Sequence, residues 1–250
     1  MFKSIRTRLI FAFSVMATLP IVVVGLILSY KSVTALKDEA ISYQRAESER
    51  IGIAVEDYIQ ELERVLELTS KAHRFISLSK NRKKEILEEL LAYENRFEQL
   101  TLIESSGKEI IRCNRIAVVL ENALENHSDD PLFKQALILK ANIFSPIQFD
   151  SKTGEPYMVI AVPLLSYMTG NIEYVLLGSI RLKKLWNILS NLSHKGETVL
   201  IVDEKGDIIG HPDPSVVLSG NKFMVPKNQQ GIATDLDGNS IIFAKKTTHI

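Results

Sequence analysis

A single cysteine, Cys113, stands in the 250 residues, so no internal disulfide forms. No C-x-x-C pair or His/Cys cluster with metal-ligand spacing occurs either. In "IIRCN" the cysteine alternates with bulky neighbours, as a small buried hydrophobe does. Net charge is also missing: thirty Lys and Arg balance thirty Asp and Glu, and no overall field exists to draw in nucleic acid. Catalytic signatures are missing as well. There is no G-x-S-x-G, H-E-x-x-H, P-loop or G-x-G-x-x-G, and the histidines at 73, 127, 194, 211 and 249 are scattered without partner spacing. The carboxylate pairs Asp129/Asp130 and Asp235/Asp237 fall in loops, as cap and turn residues do. These absences predict a region without catalytic site, cofactor, metal or nucleic-acid partner.

What is present begins with an apolar run. Between Arg8 and Lys31 lies "LIFAFSVMATLPIVVVGLILSY", residues 9–30 without a charge, enough for about 30 Å of hydrocarbon at 1.5 Å per residue. Pro20 and Gly25 are tolerated in bilayer helices. Lys3, Arg6 and Arg8 precede the run, whereas Lys31 and Lys37 after it are mixed with Asp38 and Glu39. The positive-inside rule then places residues 1–8 in the cytoplasm and everything after residue 31 outside the inner membrane. The run exceeds a signal-peptide h-region and no clear A-x-A site follows, so an uncleaved anchor is expected.

From Ser32 to about Ser79 there is no proline, and apolar residues recur at helical spacing through Val55, Ile59, Leu62 and Leu66. This predicts a long stalk helix over 31–79, suited to pairing with a second copy of itself. "KKEILEELLAYENRF" predicts a second helix. The pattern then shifts to strands at Leu100–Ile103, Glu109–Asn114, Tyr157–Leu165 and Tyr174–Leu182, separated by "SKTGEP" and "MTGN". "DPLFKQALILKA" interrupts them as a helix, with Asp130 as N-cap and Pro131 at the first helical position. The plan is α+β, an antiparallel sheet with helices packed on it.

One stretch is said nearly twice. "LTLIESSGKEII" at 100–111 and "VLIVDEKGDII" at 199–209 both run from an apolar segment through acidic and polar residues to a glycine and a β-branched segment, the pattern of a β-hairpin. Gly107 and Gly206 lie 99 residues apart, the spacing of successive domains. The chain therefore divides into an anchor, a stalk, a first sheet unit over 80–182, a connecting helix over 183–195 ended by Gly196, and a second unit over 196–250. That last unit, with the turn "DLDGNS" and strand "IIFAKK", is short enough that the chain is expected to continue past Ile250.

This order of parts resembles the double Cache family of bacterial sensors, whose two PAS-like units lie outside the membrane. "DPLFKQAL", "FDSKTGEPYMVIAVPL" and "VLLGSIRLKKL" look like helix, hairpin and last strand of the membrane-distal unit, and "VLIVDEKGDIIGHPD" looks like the opening of the proximal one. The opening "SIRTRLIFAFSVMATLPIVVVGLILSY" is similar to the starts of sensor histidine kinases. The resemblance implies an extracytoplasmic, homodimeric ligand-sensing region feeding a cytoplasmic histidine kinase. A methyl-accepting or diguanylate-cyclase output is the alternative, and an anchored binding module without output is another.

Family members that bind amino acids resemble one another in an Arg two residues before a Trp-Tyr pair, a Tyr-x-Asp in the next hairpin and an Asp in the last strand. Here Asp130, Leu132 and Phe133 stand at the first three places, Gln148 and Asp150 at the hairpin, and Ser179 at the last strand. An aspartate repels a carboxylate where a bidentate cation would hold it, so the small-molecule ligand is expected not to be an amino acid bound in that mode. The resemblance implies a pocket walled by Asp130, Phe133, Gln148, Asp150, Tyr157, Tyr174 and Ser179, with Arg112, Arg115 or Arg181 as counter-charge. Packing competes for Tyr157 and Tyr174, and turn bonding for Asp150.

Overall fold

The computed structural model describes residues 5–117, 119–166, 168–192, 197–236 and 239–247. Lys3, His194, Gly196, Asp237, Gly238 and His249, used above, lie outside them. The chain divides into two units, Met1–Arg50 with Pro226–Thr247, and Ile51–Val225 with Thr248–Ile250.

The first unit carries most of α1, an unbroken helix over Ile5–Lys71. Its apolar window is long enough to cross a membrane, and none of it is buried. The same unit holds the hairpin of β9 (Gln230–Thr234) and β10 (Ser240–Ala244), paired antiparallel. Lys246 ties this hairpin's end to Glu49 at 3.1 Å.

In the second unit the helical spacing read from the sequence becomes a buried stripe: Ile51, Val55, Ile59, Leu62 and Leu66 of α1 all lie in the core. The helix expected to continue to Ser79 instead gives way after Lys71 to a 3-10 segment over Ala72–Ser77. Ser79 then caps α2 (Lys80–Tyr93), accepting from the Arg82 N–H.

A sheet follows, built from β1 (Phe97–Glu104), β2 (Glu109–Asn114), β3 (Ile143–Phe144), β4 (Gln148–Phe149), β5 (Pro156–Leu165) and β6 (Ile172–Arg181). Its order is β2-β1-β6-β5-β3, with β4 also on β5, all antiparallel. The four long strands fall where alternation and β-branched residues predict them. The two-residue β3 and β4 carry too little pattern to be read.

Leu100, Leu102, Ile160, Val162, Leu176 and Ile180 turn one face of the sheet toward α1 and α2. Gly178 on that face permits a close approach: a Cβ there would meet Leu66 Cδ1 at 2.7 Å and Phe97 at 3.0 Å. Ile103, Ala161, Val175 and Leu177 turn the other face toward Phe133 and Ala136 of α3 (Pro131–Leu139). As expected, Asp130 caps α3, its carboxylate accepting from the Leu132 N–H, and Pro131 opens the helix.

After α4 (Lys183–Leu192) come the short β7 (Ile201–Val202) and β8 (Ile208–Gly210), then α5 (Pro214–Leu218). Trp186, Ile208 and Val217 form a separate small core there. The result is a mixed α+β protein, an apolar N-terminal helix followed by an antiparallel-sheet domain.

Candidate functional site

Directly opposed residues of antiparallel strands share a face, so the register sorts the proposed pocket residues. Tyr157 pairs with Arg181, Ser179 with both Val159 and Gln99, Gln99 with Asn114, and Thr101 with Leu177 and Arg112. All of these lie on the face turned toward α3. There Asn114 Nδ2 donates to Gln99 Oε1 at 3.1 Å, and Gln99 Nε2 donates to Thr101 Oγ1 at 3.2 Å. This polar row, half-buried apart from the enclosed Thr101, ends at Ser179 on the central strand. Gln99, Thr101 and Asn114 were missed by the sequence reading, and alternation with the buried Leu100 and Leu102 was the signal that places them.

Tyr174 does not belong to this face. It alternates with Val175 and packs with the α1/α2 core, where the Nζ of the buried Lys83 lies 4.1 Å from its ring centroid. It lines a separate opening of about 270 Å³ with Glu104, Ser105, Ser106, Ile172 and Glu173. Phe133 is 2% exposed and fills the core between α3 and the sheet. Gln148 and Tyr157 meet each other, the tyrosine hydroxyl donating to Oε1 at 2.6 Å. Asp150 accepts from the N–H groups of Lys152 and Thr153 and from the Thr153 hydroxyl, so its carboxylate serves the turn. Those bonds hold it below the usual carboxylate range.

The three candidate counter-charges are all engaged within the protein. Arg115 donates to the carbonyls of Phe97, Leu91 and Glu94. Arg181 bonds Glu98 at 2.9 Å and Glu155 at 3.2 Å. Arg112 bonds Glu109 at 2.6 Å and Glu125 at 3.3 Å. Glu109 itself is 1% exposed in its side chain and takes a third partner, His127 Nε2, at 2.7 Å, while His127 Nδ1 faces the Asp130 cap at 3.3 Å. Burial pushes the Glu109 carboxyl up, but bonds from Arg112, the Glu125 N–H and His127 together outweigh it and hold the group below the usual carboxylate range. Burial pushes the Cys113 thiol up to about 11, which suits the small hydrophobe read from the sequence and not a nucleophile.

A larger cavity, about 570 Å³, opens elsewhere in this unit, lined by the end of α1, the turn after α3 and the last residues of β5. None of the seven pocket residues lines it.

No protein-family model matches the chain, and no curated protein sequence matches it. Solved structures do. The ligand-binding domain of the Pseudomonas fluorescens chemoreceptor CtaA, in complex with L-isoleucine, matches with a TM-score of 0.62 at 18% identity, covering 85% of this chain and 87% of that one. The likeness is one of fold, an antiparallel sheet with helices packed on it. The same likeness holds for the Pseudomonas aeruginosa PAO1 amino acid chemoreceptor PctB in complex with L-Arg, at a TM-score of 0.61, 20% identity and coverages of 82% and 87%. The corresponding domain of the chemoreceptor PctC from the same strain, in complex with GABA, gives 0.60, 19%, 81% and 91%.

Proposed function

We propose that this chain is the extracytoplasmic ligand-sensing region of a bacterial transmembrane receptor, anchored in the inner membrane by residues 9–30. The observation that carries the reading is a fold shared with chemoreceptor ligand-binding domains, in a chain whose N-terminal helix is apolar and long enough to cross a membrane. A ligand signals only by binding two arrangements of the receptor unequally, and α1 joins the apolar segment to the sheet unit as one helix. Two copies would act together through α1, whose Tyr43 and Ile53 are exposed. Chemoreceptor neighbours support a methyl-accepting output at least as well as the histidine kinase suggested by the opening segment.

The ligand would lie on the α3 face, around Ser179, Gln99 and Asn114. Neighbours complexed with amino acids or GABA make those the first compounds to test. What counts against the amino-acid clamp is that Arg112, Arg115 and Arg181 are already bonded to the protein and Asp130 is committed to the α3 cap. We infer that the occupant of this face is bound through neutral hydrogen-bonding groups.

Calorimetric titration of the chain in lipid nanodiscs against amino acids, GABA, sugars and polyols tests the reading. A compound that binds wild type and is lost in Ser179→Phe, which fills the face, supports it. Equal binding to both proteins removes the α3 face from the proposal, and no binding by any compound removes ligand sensing.

A further inference from the structure

The 570 Å³ cavity at the end of α1 lies within the volume range of small-molecule sites and is built from unlike parts. Its wall is the last stretch of β5. Among the described residues β3 stops pairing at Ala161, so the edge of β5 from Val162 onward has β6 on one side and no strand on the other. Val162, Pro163, Leu164, Leu165 and Ile76 make this wall apolar.

The polar parts are not equivalent. Asn142 Nδ2 donates to Glu63 Oε1 at 2.7 Å and to Glu67 Oε1 at 2.9 Å, which pins the strap after α3 against α1. Lys71 is paired with Glu67 at 3.1 Å. The Glu67 charge is thereby answered from two sides, and the Asn142 bond followed by that of Lys71 holds its carboxyl below the usual range. Lys140 differs. It is exposed and caps α3 at φ 51°, the single non-glycine residue with positive φ among those described, and its ammonium has no carboxylate within ion-pair distance among the described residues. Ser166, 8% exposed, lines the same cavity. The cavity thus combines an exposed ammonium outside any ion pair among the described residues, a largely buried serine and an apolar wall.

We propose that this cavity is a binding site for a small monocarboxylate with a branched apolar body, its carboxylate taken by Lys140 and Ser166 and its body laid against Val162 and Leu164. A single ammonium outside any ion pair matches the charge of a monoanion. Because Glu67, Ser70 and Lys71 line the same cavity, occupancy acts directly on the last turn of α1. This site is separate from the α3 face and deepens the sensor reading, on which its signalling role rests.

The probe is 3-methylbutanoate, titrated by calorimetry into the full chain in nanodiscs, with hydrogen exchange read by mass spectrometry on the same samples. Binding is expected, with added protection at residues 63–71 and 139–143 and none over β1 and β2. Lys140→Gln lowers affinity at least tenfold, Lys140→Arg retains most of it, and Ser179→Phe leaves it unchanged. Absence of binding overturns the site, as does equal affinity in Lys140→Gln. Loss in Ser179→Phe alone places the carboxylate on the α3 face, which overturns this site and leaves the sensor reading standing.

Discussion

The two hairpins that the sequence nearly repeats are built by the same bonds. In the first, Glu104 N–H donates to Lys108 O at 2.9 Å, Gly107 N–H to Glu104 O at 2.8 Å, and His127 N–H to Gly107 O at 2.7 Å. In the second, Asp203 N–H donates to Asp207 O at 3.0 Å, Gly206 N–H to Asp203 O at 3.1 Å, and Phe223 N–H to Gly206 O at 2.9 Å. Each turn is crossed by a later segment through one bridge, Lys108 with Asn126 and Asp207 with Lys222. What differs is the residue two places after the glycine. In the first hairpin it is Glu109, enclosed and bonded to Arg112 and His127. In the second it is Ile208, packed with Trp186 and Val217. One backbone device is therefore secured by an ionic cluster in one place and by apolar contact in the other.

Exchanging those two securing residues should have the largest effect. Glu109→Leu strips a buried cluster of its acceptor and leaves the Arg112 guanidinium without its closest partner, costing about 3 kcal/mol or more. Ile208→Glu puts an unpaired carboxylate among Trp186 and Val217 at a similar cost. Urea titration should separate them. Trp186 is the chain's one tryptophan, so its fluorescence should report loss of the second hairpin in Ile208→Glu at a urea concentration where far-UV circular dichroism still shows the six-stranded sheet. In Glu109→Leu the circular dichroism midpoint itself should fall.

Breaking the shared backbone device comes next. Gly107 has φ 90° and Gly206 φ 81°, and a Cβ would stand 2.6 Å from the Ser128 nitrogen in one and 2.7 Å from the Phe223 oxygen in the other. Since both obstacles are backbone, neither yields by a rotamer change. Alanine at either place should cost about 2 kcal/mol, measured as a fall in the urea midpoint, with Gly107→Ala read by circular dichroism and Gly206→Ala by Trp186 fluorescence. Equal loss of both signals in both variants would mean that the two hairpins unfold as one.

Acid sharpens the contrast further. Glu109 is held below its ordinary value, so its contribution to stability is complete above the unfolded glutamate range near pH 4.3 and disappears as pH falls through the lower folded value. Ile208 has no such dependence. Between pH 6 and 3 wild type should lose more stability than Glu109→Gln, as measured by urea midpoints at each pH, and the difference between the two proteins should shrink toward the acid end.

The parts of this fold that were legible are those where a residue's neighbours in sequence decide its place. The stripe of Val55, Ile59, Leu62 and Leu66, the Asp130-Pro131 helix start and the two glycine turns all follow from local pattern and have the expected partners. The residues proposed to meet a ligand depend on register, which local pattern carries weakly. Tyr174 and Ser179 sit five residues apart on one strand, so they point to opposite faces. Asp150 was open to two roles because a turn aspartate and a ligand aspartate look alike until its acceptors are counted. The polar cavity at the end of α1 draws on residues from 67 to 170, and no spacing in the sequence brings them together.

The smallest effect expected concerns a polar bond inside the apolar cluster of the second hairpin. Trp186 Nε1 donates to the Ile209 carbonyl at 3.0 Å from a side chain 3% exposed. Trp186→Phe keeps most of the ring's packing but leaves that carbonyl without the donor, a loss of about 1 kcal/mol. Because the variant removes the fluorescent probe, the measurement is amide hydrogen exchange, which should quicken at residues 208–210 and remain as in wild type at residues 109–114. Faster exchange at both would join the hairpins energetically through α4. Faster exchange at neither would assign the work of holding β8 to the apolar contacts of Ile208 and Val217 alone.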